Sequence, residues 1–166
     1  MSLTAQIDVA VKARVSKTAD LSAPSAVVEM LGQFNLANGS GNNQINVIHA
    51  DSHSMAQSST KDYDLAGALL NPLGDAAVFA KVKAIAIKAG ASNPADLKLG
   101  ADSAAFAGFF ADVSDIVNVP PGEMTILLAT KSGKAVAATS ADTVQVASPS
   151  TTGTYTFDII FLGTDA

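Results

Sequence analysis

Alternation of apolar and polar residues is the dominant pattern of this chain. In the first run, Ala5–Val15, the odd positions are all apolar and most even positions are polar. A period of two with one dry face is typical of a half-buried antiparallel strand. The second run, Ala26–Leu36, is also predicted as a strand. Its Val27-Val28 pair and central Gly32 favour a strand over a helix capped by Ser25.

The last run, Tyr155–Leu162, is the clearest strand signal. Its odd positions carry four large apolar side chains, and Ile160 and Leu162 add apolar residues to the opposite face. A strand that is apolar on both faces at one end is expected in the interior of a sheet. We therefore predict an inner strand whose loss unfolds the protein.

Shorter runs between these two ends are separated by Gly, Pro, Asn, Asp and Ser. Asp64–Gly74 is predicted as a short helical turn, Ala104–Phe110 as an apolar loop or one helical turn, and Lys131-Ser132-Gly133 as the turn of a hairpin. This spacing of short strands is typical of an all-β sandwich or barrel in one domain over residues 1–166. The other predicted strands are Gln44–His49, Met55–Asp62, Ala76–Lys88, Asp96–Gly100, Ile116–Val119, Met124–Ala129, Lys134–Ala138 and Thr143–Ala147.

Composition narrows the classes of function. The chain is 48% apolar but only 5% aromatic, so small side chains dominate, which suits closely packed sheets and subunit contacts. A net charge of −5 with ten scattered basic residues argues against a nucleic-acid interface. Lys81 and Lys83 share one face of a strand, which we interpret as a solvated face. We expect neither a signal peptide nor a membrane span, and therefore synthesis in a cytoplasm.

One cluster has the composition of a metal site. In an extended segment His49, Asp51 and His53 lie on one face, and two imidazoles with a carboxylate are zinc ligands. Ile45 and Val47 share that face, and the chain has no cysteine and no third histidine. The favoured interpretation is a polar strand end or a subunit contact, with no metal and no cofactor.

Catalytic patterns are weak in this sequence. No serine lies in a Gly-x-Ser-x-Gly turn, and the carboxylate pairs are ordinary for loops. A sugar-cleaving groove would be expected to carry aromatic platforms, and the chain has no Trp and two Tyr. We predict that the protein is not an enzyme.

Several segments of the second half share a pattern: Tyr63–Leu69, Phe79–Ile85, Pro120-Pro121-Gly122, Ser140–Val146 and the final strand. In these segments the chain resembles small virion structural proteins of tailed bacteriophages. The resemblance implies an antiparallel, jelly-roll-like β-sandwich with one or two short helical turns. It also implies a homotrimeric head decoration (cement) protein on the capsid surface, bound to the major capsid protein and contacting neither nucleic acid nor membrane.

Two segments are predicted to make contacts with a neighbour. One is 104–115 with Phe106, Phe109 and Phe110, and the other is an N-terminal arm, Met1–Thr4, with Leu3. A core loop and an unpacked terminus remain the alternatives. Two other functions also remain open. The first is a tail-associated or receptor-binding virion protein, and the second is a soluble jelly-roll ligand-binding protein or metalloenzyme.

Overall fold

The computed structural model describes residues 2–17, 25–67, 69–100, 105–110 and 112–166. Within these ranges the protein is almost entirely β-structure, with one short 3-10 turn at Ala107–Phe109. The strands, numbered in chain order, are β1 Ala5–Ser16, β2 Ser25–Asn38, β3 Gln44–Ile45, β4 Val47–Ala56, β5 Thr60–Asp64, β6 Lys81–Ala89, β7 Leu97–Gly100, β8 Ile116–Val119, β9 Met124–Leu128, β10 Lys134–Ala135, β11 Thr143–Ala147 and β12 Thr154–Thr164.

Two antiparallel sheets face each other and enclose the main core. The larger has the order β10-β6-β12-β4, with β9 also paired to β6, and the smaller has the order β5-β11-β7-β8. Tyr63 from the smaller sheet and Phe161 from the larger meet in this core, with ring centroids 5.3 Å apart. The prediction of an all-β sandwich is confirmed.

Strand β12 lies inside the larger sheet, as its sequence predicted. It pairs with β4 along one edge and with β6 along the other. The side chains of its odd positions from Tyr155 to Phe161 are at most 3% exposed. On the opposite face Leu162 is also buried, whereas Ile160 is 41% exposed. The strand is therefore buried on both faces only at its end.

A β-bulge interrupts the pairing of β6 with β12. Leu162 lies opposite Ala84 and Gly163 lies opposite Val82, so Lys83 is the extra residue. The bulge resets the alternation, so that Val82 and Ile85 both reach the core. Lys83 is only 1% exposed. The solvated face predicted for this lysine is wrong, because period-two reasoning does not anticipate a bulge.

The glycine opposite the bulge permits close approach of two backbones. A Cβ atom at Gly163 would lie 2.1 Å from the carbonyl oxygen of Lys81 and 2.6 Å from the ring of Phe79. No side chain fits that space without moving backbone.

Two predicted connections differ from the structure. Strands β9 and β10 do not pair with each other; both pair with β6, and Lys131-Ser132-Gly133 carries the chain along the same edge. The predicted helical turn at 64–74 is a series of turns in its described residues. There Asp64 accepts a hydrogen bond from the amide of Ala66, and Asn71 accepts one from the amide of Leu73. Such side-chain bonds compete with helix formation.

Several predicted strands have different bounds, and two of them illustrate the reason. The run Met55–Asp62 is divided between β4 and β5 by a turn in which Ser58 has φ of 53°. The run Ala76–Lys88 becomes extended pairing only from Lys81. In both cases the alternation of apolar and polar residues continues in the sequence through residues that form turns or loops between strands in the structure.

Candidate interaction surface

Strands β1 and β2 form a long hairpin, in register from Ala5 opposite Leu36 to Ser16 opposite Ser25. Every residue of Asp8–Ser16 and of Ser25–Leu31 is exposed. Because these two segments are exposed on both faces, this part of the hairpin does not pack on the sandwich. We call Ala5–Ser16 together with Ser25–Leu36 the arm.

The two faces of the arm differ in chemistry. Directly opposite residues of an antiparallel pair share a face. On the polar face, Lys12 forms an ion pair with Glu29, and Asp8 accepts a hydrogen bond from Gln33 over 3.0 Å. On the other face there is no polar side chain among the described pairs. This apolar face consists of Ala5, Ile7, Val9, Val11, Ala13, Val15, Ala26, Val28, Met30, Gly32, Phe34 and Leu36.

The outer part of the apolar face is open to solvent. Val15, Val28 and Met30 are each about two-thirds exposed (66%, 65% and 66%). The sequence correctly predicted two strands and one dry face, but the expected half-burial of β1 is wrong beyond Ile7. The physical reason is that no described part of this chain covers the face there.

The root of the arm, which we define by Ala5, Ile7 and Leu36, is fixed to the larger sheet by apolar packing. Leu36 is buried in a second core cluster with Ile45, Ala84 and Leu162, and Ala5 and Ile7 pack against it. Leu3, predicted to contact a neighbour, also packs on this cluster, and its amide donates to Asn38 Oδ1 over 3.0 Å. The predicted N-terminal segment therefore belongs to the root, as far as its described residues show.

Lys83 secures the loop that follows the arm. Its Nζ donates hydrogen bonds to the carbonyl oxygens of Gly41, at 3.1 Å, and Lys131, at 2.9 Å. Burial lowers the pKa of the Lys83 ammonium, and the charge of Lys81 lowers it further. The amide of Asn43 also donates to the carbonyl of Thr130 over 3.2 Å. The two loops are therefore joined beside the root.

The outer face of the larger sheet is arranged in rows across its strands. The root of the arm lies on the first row, Leu128, Ala84, Leu162 and Ile48. The next row is apolar and partly exposed; we call it the open row, and it consists of Ile126, Ala86, Ile160 and Ala50. The third row is more polar, with Met124, Lys88, Asp158 and Ser52.

A groove separates the root from the open row. Its volume is about 240 Å³, and its walls include Ala5 and Ile7 on one side and Ala86, Ile126 and Ile160 on the other. Gln6 is the one polar residue in its lining, and none of its lining residues is charged.

The candidate metal ligands lie on the inner face of edge strand β4. Tyr63 donates a hydrogen bond to Asp51 Oδ2 over 2.8 Å, and His49 Nδ1 lies 2.6 Å from the carbonyl oxygen of Leu70. His53 Nδ1 is 3.9 Å from Asp51 Oδ2. Among the described residues no group of three or more His, Cys, Asp or Glu is placed to hold a metal ion.

Tyr63 has a perturbed pKa because it is buried beside Asp51. Burial raises the pKa of the Tyr63 hydroxyl well above its ordinary value, and the hydrogen bond and negative charge of Asp51 raise it further. Charged or polar side chains that point inward from an edge strand also discourage pairing with another sheet. The cluster therefore has a structural explanation.

One cleft contains the residue types of a nucleophilic triad. Its volume is about 550 Å³, and Ser52, His53 and Asp158 are among its lining residues. Ser52 donates a hydrogen bond to Asp158 on the outer face of the sheet. His53 is on the inner face opposite Phe157, because successive strand residues alternate. His53 therefore cannot take a proton from Ser52 in this arrangement.

The three predicted contact phenylalanines pack toward the core. Phe106 is 2% exposed, and its ring stands edge-on to that of Phe109, with centroids 6.0 Å apart. Phe109 and Phe110 are half-buried against the main core. Phe106 is thus a core residue, and a contact through the other two stays a prediction.

Comparisons with protein families, with curated proteins and with solved structures gave no match. In the described part of the chain, no helix has the length and apolar character needed to cross a membrane.

Proposed function

We propose that this protein is a bacteriophage virion structural protein, a capsid decoration (cement) protein that binds the major capsid protein on the outside of the head. The observation that carries the proposal is the solvent-exposed apolar face of the arm. The resemblance of the second half to small phage virion proteins supplies the biological setting.

The arm supports an assembly role on physical grounds. An isolated two-stranded hairpin is marginally stable in water, and an exposed row of Val and Met side chains increases its tendency to associate. Burying one such side chain fully is worth roughly 1.5–3 kcal/mol. A protein that keeps this surface is expected to cover it when it works, and a neighbouring subunit covers it in an assembled shell.

Other features are compatible with this role. The net charge of −5 does not attract the packaged DNA. A particle that carries many copies also gains from avidity, because each contact need only be weak when many form together.

Imaging of the assembled particle tests the proposal. Head shells assembled from the major capsid protein of the same virus, with and without the purified chain, should differ by ordered density on the shell. The same particles should resist heat or low ionic strength better when the protein is bound. Density on the tail would instead support the receptor-binding alternative, and the absence of density from particles would contradict a virion role.

A further inference from the structure

We infer that the apolar face of the arm packs on the open row of a second copy of this chain. The inference rests on the proposed function as an assembly subunit. It specifies that the neighbour that covers the arm is another copy of this chain. Each copy would donate one arm and receive one.

The root of the arm already shows what this face binds. Ala5, Ile7 and Leu36 pack on the cluster that includes Ala84 and Leu162 of the larger sheet. The same face of the arm continues outward with Val9, Val11 and Val28, and no residue in the described ranges covers it there. The open row continues the same sheet face and is also uncovered.

The two surfaces match in charge. The arm's apolar face carries no charged residue, and the open row carries none. Lys88 and Asp158 stand in the row beyond it, one positive and one negative. A contact between arm and open row would therefore desolvate no unpaired charge, which is the usual obstacle to burial.

The arm supplies most of the area of this contact. The uncovered side chains of the arm's apolar face present on the order of 500 Å², the size of the largest patch on a typical monomer. The open row is smaller, because Ala86 and Ile126 are half-buried and Ile160 is 41% exposed, so one contact buries less than the roughly 1,000 Å² of a stand-alone interface. A copy that both donates and receives an arm makes two such contacts.

The geometry of exchange fixes the type of assembly. An arm that binds a different surface on the next copy forms a head-to-tail contact, which closes into a ring when the rotation allows. The nine residues that follow Ile7, up to Ser16, extend about 30 Å from the root, enough to reach across an adjacent small domain. The trimer implied by the phage resemblance is one such ring.

Cysteine crosslinking tests the contact, since the natural chain has no cysteine. Val11→Cys and Ile160→Cys are made in separate proteins, mixed and oxidised. We expect a disulfide-linked species of twice the 16.7 kDa chain mass that forms only in the mixture. Lys12→Cys, on the polar face of the same strand, is the matched control and should give little product with Ile160→Cys.

Three outcomes would overturn the inference. Efficient crosslinking of Val11→Cys with itself would indicate that arms pair with each other. A crosslink within one chain, in a double Val11→Cys and Ile160→Cys variant that runs as a monomer, would indicate that the arm covers its own sheet. Absence of any crosslink, together with a monomeric mass by light scattering at micromolar concentration, would contradict a contact between copies.

A charge substitution gives a second, independent readout. Val28→Asp is on the apolar face and Leu31→Asp on the polar face, and the two side chains are 65% and 66% exposed. Val28→Asp should weaken self-association at least about tenfold, because the contact would bury a charge, and Leu31→Asp should change it little. Equal effects of the two substitutions would overturn the assignment of the face.

These measurements are made on the protein alone. If the protein oligomerises through the arm but gives no density on particles, the proposed function is contradicted and the arm contact is supported. If density is found on particles but the protein is monomeric and does not crosslink, the arm contact is contradicted and the proposed function is supported.

Discussion

The ammonium group of Lys83 donates a hydrogen bond to the carbonyl oxygen of Gly41, 3.1 Å away. Lys83 is the extra residue of the β6 bulge, and Gly41 lies in the loop after the arm. A distortion inside the sheet thus positions a buried charge that secures the root of the projecting element. The proposed assembly role depends on this anchoring, because an arm can bind a neighbour only if its own root is fixed.

Removing that ammonium should loosen the root. Lys83→Met keeps an unbranched side chain but leaves the carbonyls of Gly41 and Lys131 without this donor. We expect a loss of about 1–3 kcal/mol in the free energy of unfolding, measured by urea denaturation. Lys81→Met, at a half-buried neighbour, is the control and should cost less than about 0.5 kcal/mol. Equal losses would show that the two hydrogen bonds of Lys83 contribute little.

The anchoring leucine of the arm should matter far more than an exposed leucine of the same strand. Leu36 is 2% exposed and Leu31 is 66% exposed. Leu36→Ala should cost about 2–5 kcal/mol of unfolding free energy through the cavity that it leaves, whereas Leu31→Ala should stay within about 0.5 kcal/mol. A neutral Leu36→Ala in thermal or urea unfolding would mean that the arm and the sandwich unfold independently.

Gly163 should tolerate no side chain. The methyl group of Gly163→Ala would meet the backbone oxygen of Lys81 at 2.1 Å, and backbone cannot yield as a flexible side chain can. We expect a loss above roughly 3 kcal/mol or failure to fold. Gly32→Ala is the matched control in a strand, because its added methyl would touch only the Phe34 ring, at 3.3 Å. Circular dichroism with thermal unfolding compares the two, and similar melting temperatures would contradict the bulge geometry.

Stability should fall in alkali because of Tyr63. Its pKa is raised in the folded protein, so between the ordinary value of 10.0 and the folded value the folded state binds more protons than the unfolded state. The stabilisation linked to this proton is therefore complete below pH 10 and is lost progressively above it. Urea midpoints of the natural protein and of Tyr63→Phe, measured from pH 8 to 11, should converge as pH rises. A constant difference between them would mean that Tyr63 titrates normally.

Several elements were predictable from local sequence. The predicted bounds Ile116–Val119 and Thr143–Ala147 match β8 and β11, and the facing of Tyr155–Phe161 was correct. Each depends only on alternation and on flanking turn residues, which are properties of neighbouring positions. The alignment of His49, Asp51 and His53 on one face of a strand was also predicted correctly, since it follows from the same period, but that this face points inward was not predicted.

The exposure of the arm's apolar face was not predictable in the same way. The three phenylalanines of 104–115 were predicted to contact a neighbour because their side chains are large and apolar, yet Phe106 is in the core. The exposure of the arm was not predicted, because Val9 and Val11 have the same alternation in sequence as strand residues that face a core. The sequence signal for the arm was that β1 and β2 are two consecutive, unusually long strands, each with one apolar face. That signal does not distinguish an apolar face that is buried from one that is exposed.

The sequence by itself determined that this chain is built of β-strands, where most of them lie and which side of each is apolar, because these properties repeat at short range along the chain. Only the tertiary structure decided which strands pair, where the bulge turns Lys83 into a buried anchor, and which apolar face finds a partner within the molecule. Those outcomes depend on contacts between residues far apart in sequence, such as Lys83 with Gly41 and Leu36 with Leu162. No described part of the chain covers the outer face of the arm, and the partner that we infer for it is a second copy of the chain.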